Sequence, residues 1–256
     1  MIHPTAVVAS SARIHESAEV GPYCVVGDEV EIGAGTRLGP HVVVAGPTVI
    51  GADNRIFQFA SIGDEPQDKK YAGEPTRLVI GDRNTIRECA TINRGTTQDE
   101  GVTRVGNDNW IMAYVHVAHD VQVGNNTILA NNVTLAGHCE VGDWAIFGGF
   151  SGLHQFCKAG PHCFMGMYAA VSRDVPAYTM VGGHPPKPHG INSEGLKRRG
   201  FTAEQISHIR HAHKLLYRSG LKLAEAVEQI EALAREQPEL EPLAASIRDS
   251  SRSIVR

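Results

Sequence analysis

An aliphatic residue recurs at every sixth position of this chain. From Ile2 the series runs Val8, Ile14, Val20, Val26, Ile32, Leu38, Val44, Ile50, Ile56 and Ile62. The residue after it is often glycine (Gly21, Gly27, Gly33, Gly39), and the fifth of each unit is small or modest (Ala6, Ala12, Ala18, Cys24, Thr36). The phase breaks after Gly63, returns at Ile80, Ile86 and Ile92, breaks over 98–104, and then holds from Val105 to Val171. A period of six fits neither an amphipathic helix nor long alternating strands. It fits a parallel β-helix, in which three hexads form the three sides of one coil and coils stack at about 4.8 Å. Aromatic residues are only 6% of the chain, so the interior must be filled by aliphatic ladders.

The periodic part predicts an all-β domain over 1–190, with loop insertions near 64–78 and 98–104. DVPAYTMVGGHPPKPHG (174–190) reads as a Pro/Gly-rich linker loop. A small α-helical domain over 191–256 follows. Thr202 and Gln205 predict a capping box for a helix to about Ser219, with further helices near 222–236 and 239–250.

A net charge of −4 argues against a nucleic-acid binder. No run of about 18 apolar residues predicts a membrane span, and the N-terminus lacks a signal-peptide pattern. The five cysteines form no CxxC, and four (Cys24, Cys139, Cys157, Cys163) fall on the inward fifth position. They read as reduced core thiols of a cytoplasmic protein.

NWIMAYVHVAHDVQVGNN (109–126) places His116 and His119 around a corner of the prism, so both can face outward. Residues 18 apart stack, which sets Gly137 and Gln155 above His119, with His138 and His154 beside them. One groove thus carries six polar or permissive positions that the core does not need. Two chemistries suit it. A neutral imidazole could act as general base, with a backbone N–H at the glycine stabilising an oxyanion. Alternatively, the histidines could hold zinc.

The hexads resemble those of the hexapeptide-repeat acyltransferases, which implies a left-handed parallel β-helix assembled as a homotrimer. VHVAHD (115–120), TLAGHCEVGDWAI (134–146), LHQFC (153–157), the segment from Ile56 to Glu88, TINRGT (91–96) and GINSEGLKRRGF (190–201) closely resemble one family within that group. It is the UDP-N-acetylglucosamine O-acyltransferases of lipid A synthesis. The resemblance implies transfer of a (R)-3-hydroxyacyl group from acyl carrier protein to the 3-hydroxyl of UDP-N-acetylglucosamine, without metal or cofactor, at sites between subunits. By the same resemblance His119 is the general base and Gly137 the oxyanion donor. Asp68, Lys70, His116, His138 and Gln155 contact the sugar nucleotide. Asn192, Glu194, Arg198 and Arg199 lie around the uracil and phosphates, with His154 near them. Asn93 stands where relatives often have histidine. Met167 stands at the family's acyl-chain ruler, where a glycine admits fourteen carbons; a methionine there implies a chain nearer ten. From Lys187 to Lys222 eight Lys/Arg face two acids, an excess that suits docking of the acidic carrier protein.

Overall fold

In the computed structural model, which describes residues 1–256, the six-residue period becomes a triangular prism. Short strands, mostly of two residues, pair in parallel with strands one coil further on: Val7 with Val25, Arg13 with Glu31, Glu19 with Arg37. They form sheets of nine, eight and ten strands. The first sheet runs from Val7–Val8 to Ala170–Val171 and the second from Arg13–Ile14 to Lys158–Ala159. The third runs from Glu19–Val20 through Phe164–Met165 and takes up a terminal hairpin. The periodic aliphatics point inward and stack, Ile50 on Ile80, Ile86 on Ile111, Val117 on Leu135, all buried. Cys24, Cys139, Cys157 and Cys163 are buried among them, and no disulfide forms. Burial pushes the Cys139 and Cys163 thiols up to about 12, so they stay protonated and inert.

The corners have their own grammar. In most hexads the fourth residue takes φ near +60°: Asp120, His138 and Phe156 at the first corner, between the first and second sheets; Asn126, Trp144 and His162 at the second; Tyr114, Phe150 and Tyr168 at the third. A β-carbon makes this conformation cost roughly 1–2 kcal/mol. Stacking one coil apart offsets part of it, as between Tyr23, His41 and Phe59 (5.1 and 5.2 Å) or His138 and Phe156 (4.5 Å).

The three faces differ in chemistry. Outward positions of the first sheet run Val7, Val25, Val43, Ser61, Thr91, His116, Thr134, Gly152, Ala170, with no Lys, Arg, Asp or Glu. The second sheet shows charged residues instead, with ion pairs Arg13–Glu31 and Lys158–Glu140 (3.0 Å). Both chain insertions leave the prism at the first corner, between Ser61–Asp64 and Arg77–Ile80 and between Thr91–Asn93 and Val102–Val105.

The segment read as a linker loop is ordered. Thr179–Gly182 adds to the third sheet beside Phe164–Met165, and Lys187–Ile191 pairs back on it antiparallel. Met180 and Val181 continue the ladder; Pro185 and Pro186 sit in the turn and Pro188 on the edge strand, where no sheet N–H is needed. The terminal hairpin ends at Ile191. Four helices follow: α1 (Ser193–Arg198), α2 (Ala203–Arg218), α3 (Leu223–Ala234) and α4 (Glu241–Arg248). Thr202 and Gln205 form the expected capping box of α2. Tyr178, Leu196, Ile209, Leu216, Ile230 and Leu243 make a second core.

Candidate active site

Asp120 is the fourth residue of its hexad, so the chain turns there and leaves His119 on the ridge of the first corner. The His119 Nδ1 lies 2.9 Å from Asp120 Oδ2. Asp120 is 2% exposed and accepts from the Thr96 N–H (2.8 Å) and the Thr96 hydroxyl (2.6 Å). Burial pushes the Asp120 carboxyl up, but the hydrogen bonds from His119 and Thr96 outweigh it and hold it below the usual range. An ionised carboxylate accepts only, so His119 carries its proton on Nδ1 and presents a lone pair at Nε2.

That nitrogen faces Gly137, one coil above. A β-carbon on Gly137 would stand 2.5 Å from His119 Cε1 and 2.7 Å from Nε2, so only glycine leaves room for the ring. The Gly137 carbonyl accepts from Phe156, while its N–H has no acceptor within the chain. His138 meets His119 edge-on, ring centroids 5.0 Å apart, and its Nδ1 lies 3.0 Å from Asp99 Oδ2 and 3.8 Å from Asp120 Oδ2. The donor atoms of His119, Asp120 and His138 all lie within 4.8 Å of one another. His116, on the neighbouring strand, is bonded to Thr91 (2.7 Å); burial, and then the nearby His119, push its pKa down and keep it neutral.

The two insertions close over this corner. Gln98 donates to Asp68 (2.9 Å), which also accepts from the Lys70 N–H (3.0 Å). Those bonds lower the Asp68 pKa, and His119 is close enough to add to the effect. Lys70 is exposed and makes no side-chain bond. Asn93 is buried, donating to the Glu65 carbonyl (2.8 Å), so it ties the base of the insertion. Gly95 packs so closely that a β-carbon would lie 2.7 Å from Asp120 Oδ1.

Of the other expected site residues, His154 and Gln155 lie on this side of the prism and the rest lie elsewhere on the same chain. His154 is exposed on the first sheet, with only the Gln155 carbonyl near its ring (3.3 Å). Gln155 is exposed on the first corner. Arg199 sits at the second corner, donating to the Trp144 carbonyl (2.9 Å), bonded to His162 (2.9 Å) and stacked 5.1 Å over the Trp144 ring. Asn192 caps α1 by accepting from the Gly195 N–H, Glu194 pairs with Lys197 (2.7 Å), and Arg198 is exposed. Met167 lies on the third corner, 60% exposed. The six groove positions expected from the sequence (His116, His119, Gly137, His138, His154 and Gln155) thus lie along the first sheet and its corner, whereas Arg199 and Met167 lie on the second and third corners of the same prism. Asp120, Thr96, Gln98 and Asp99 were not anticipated. Asp120 could have been found from its position, because aspartate suits a positive φ.

A prism of stacked hexads carrying a His–Asp pair on a corner is a hexapeptide-repeat transferase. The model described as bacterial transferase hexapeptide (six repeats) matches residues 11–46 and 103–137, and that described as UDP N-acetylglucosamine O-acyltransferase, domain 2, matches 174–255. The acyl-[acyl-carrier-protein]--UDP-N-acetylglucosamine O-acyltransferase of Thiobacillus denitrificans is 60% identical over 255 residues, covering 100% of this chain and 99% of the relative. That of a Janthinobacterium species is 60% identical over 260 residues, with the same coverage. The solved UDP-N-acetylglucosamine acyltransferase of Francisella novicida superposes with a TM-score of 0.99 at 50% identity, over 100% of this chain and 94% of that one. The Moraxella catarrhalis O-acyltransferase gives 0.97 at 48%, over 100% and 99%. The chain belongs to the UDP-N-acetylglucosamine O-acyltransferase family, and its β-helix is left-handed.

Proposed function

We propose that this enzyme transfers a (R)-3-hydroxyacyl group of about ten carbons from acyl carrier protein to the 3-hydroxyl of UDP-N-acetylglucosamine, the first step of lipid A synthesis. The observation that carries the mechanism is the His119 Nε2 lone pair set against Gly137 by the Asp120 bond. Nε2 takes the proton of the sugar hydroxyl as its oxygen attacks the thioester carbonyl. The Gly137 N–H donates to the resulting oxyanion. Collapse expels the carrier thiolate, which takes the proton back from the imidazolium. Asp120 orients the ring and stabilises its charged form. Asp68 and Lys70 on the insertion, with His116, His138 and Gln155, bind the sugar nucleotide.

The active assembly is a homotrimer. Tyr23, Phe59, Tyr114, Phe150 and Tyr168 line the third corner, each at least half exposed, and the first sheet beside it carries no charge in its ladder. Exposed apolar stripes of this extent are covered in the working protein. Closing three prisms on this corner leaves the charged second sheet to solvent. It sets the first corner of one subunit against the second corner of the next, which supplies Asn192, Glu194, Arg198 and Arg199 for the nucleotide, with His154 nearby. Met167 then lines the intersubunit cleft and ends the acyl channel. Arg210, Lys214 and Arg218, spaced by four along α2 and exposed, offer a basic stripe to the acidic carrier. Five free cysteines suit the reducing cytoplasm, and no helix is long and apolar enough to cross a membrane.

The test is acyl transfer to UDP-N-acetylglucosamine from 3-hydroxyacyl carrier proteins of ten, twelve and fourteen carbons. Wild type should favour the shortest, and His119→Ala should lose at least 10²-fold in kcat. An unimpaired His119→Ala enzyme would overturn the mechanism.

A further inference from the structure

The geometry points to Arg252 as the residue that binds the phosphate of the acyl donor's phosphopantetheine arm. This rests on the acyltransfer reading, in which a carrier protein presents its thioester at the end of such an arm.

The place of Arg252 follows from how the prism ends. Val171 pairs with Leu153, but Val175 already pairs with Ala159, so this coil is two residues short. The first-corner column of positive-φ residues therefore stops at Phe156, above Asp120 and His138. His138 covers one face of the Phe156 ring, with centroids 4.5 Å apart. The Arg252 guanidinium covers the other, its Cζ 5.3 Å from the ring centroid.

The tail that carries Arg252 is fixed to the prism. Buried Asp174 accepts at Oδ2 from the Ser250 hydroxyl (2.7 Å) and from the N–H groups of Ser251 (3.1 Å) and Arg252 (3.2 Å). Its Oδ1 accepts from the Lys158 N–H (2.8 Å). The Asp174 N–H donates to the Ser253 carbonyl and the Val255 N–H to the Asp174 carbonyl, both at 2.9 Å. Arg252 itself is exposed and makes no ion pair. Stacking occupies the plane of the guanidinium and leaves its N–H edge, the fork that grips phosphate, open. Arg173, in the shortened turn, is also exposed and without an ion pair, which adds positive charge to this end of the corner.

Reach decides which phosphate it meets. His138 and Phe156 stand one and two coils above Asp120, about 5 and 10 Å. The further 5.3 Å to Arg252 sets the guanidinium about 15 Å from His119. An extended chain advances about 1.2 Å per bond, so the thirteen bonds from sulfur to phosphorus in phosphopantetheine span roughly 15 Å. In the sugar nucleotide the 3-hydroxyl is five and seven bonds from the two phosphorus atoms, or about 6 and 8 Å. With the thioester at His119 the arm's phosphate arrives at Arg252. With the sugar hydroxyl there, both nucleotide phosphates fall short.

The test compares two donors that differ only in that group, 3-hydroxyacyl-phosphopantetheine and 3-hydroxyacyl-pantetheine, with UDP-N-acetylglucosamine as acceptor. Their ratio of kcat/KM is internal to each enzyme, so a partly unfolded variant does not bias it. Wild type should prefer the phosphorylated donor by roughly tenfold or more. Arg252→Gln should bring that preference within about twofold, with KM for UDP-N-acetylglucosamine unchanged. Wild type indifferent to the phosphate, or an Arg252→Gln enzyme that keeps the preference, overturns the assignment. A raised KM for UDP-N-acetylglucosamine with the donor preference intact would give Arg252 to the nucleotide instead. Wild type unable to acylate UDP-N-acetylglucosamine from the intact carrier protein would refute the acyltransfer reading itself, and this role with it.

Discussion

Gly137→Ala adds one carbon at the point where two coils meet over the reacting nitrogen. The added carbon would lie 2.5 Å from His119 Cε1, whereas ordinary contact begins near 3.4 Å. The ring must therefore retreat by about 0.9 Å. It cannot do so freely, because Asp120 holds Nδ1 at 2.9 Å and is itself fixed by Thr96. Either that bond breaks or the imidazole moves off its line of attack; a misplacement of about 1 Å costs on the order of 10²-fold in rate. The backbone N–H at 137 survives the substitution, and the residue does not occupy a positive φ, so the coil itself is unstrained. The expected result is a kcat reduced about 10²-fold, with KM for UDP-N-acetylglucosamine within a few-fold and a melting temperature close to wild type. Steady-state kinetics alongside thermal melting separates these quantities. A kcat within threefold of wild type in a folded Gly137→Ala enzyme would refute the claim that the His119 ring position against this glycine sets the rate.

Met167→Gly should move the donor preference from ten toward fourteen carbons. Four methylenes at about 0.8 kcal/mol each make roughly 3 kcal/mol, on the order of 10²-fold in relative kcat/KM, and an unchanged preference in the donor panel would show that Met167 does not end the channel. Coexpressing His119→Ala and Arg199→Ala chains should give hybrid trimers more active than either parent, because one intersubunit site in a mixed assembly can be intact; no complementation in purified hybrids would place both residues in one subunit's site. Burial holds His162 and His213 neutral, each pushed down to about 4. The unfolded chain protonates these residues near their ordinary value of about 6.5, so their contribution is complete above that pH and is lost as pH falls from 6.5 toward 4. The melting temperature should drop across this window, less steeply in His213→Leu, and an unchanged slope in that variant would dissociate His213 from the acid sensitivity.

The six-residue period and the inward cysteines were legible from the sequence because each concerns residues at fixed separation on a regular coil. The vertical relation of His119 to Gly137 follows from the same arithmetic. The capping box at Thr202 was legible for a different reason, because it is local. The family's site residues were legible only through resemblance. What the period could not contain was the partner set of the reacting histidine. Thr96, Gln98 and Asp99 lie on an insertion where the repeat is suspended, and its return path over the first corner depends on contacts far along the chain. The hairpin after Asp174 was hidden because Pro and Gly mark turns without saying that the flanking residues complete a sheet. Likewise the separation of His119, Arg199 and Met167 onto three corners emerges only when the coil is closed. Spacing along a regular helix determines which side chains stack. Which stacked groups acquire a charge partner, a lid or a neighbouring subunit is decided by non-periodic segments and exposed faces, whose energetics depend on the whole folded surface.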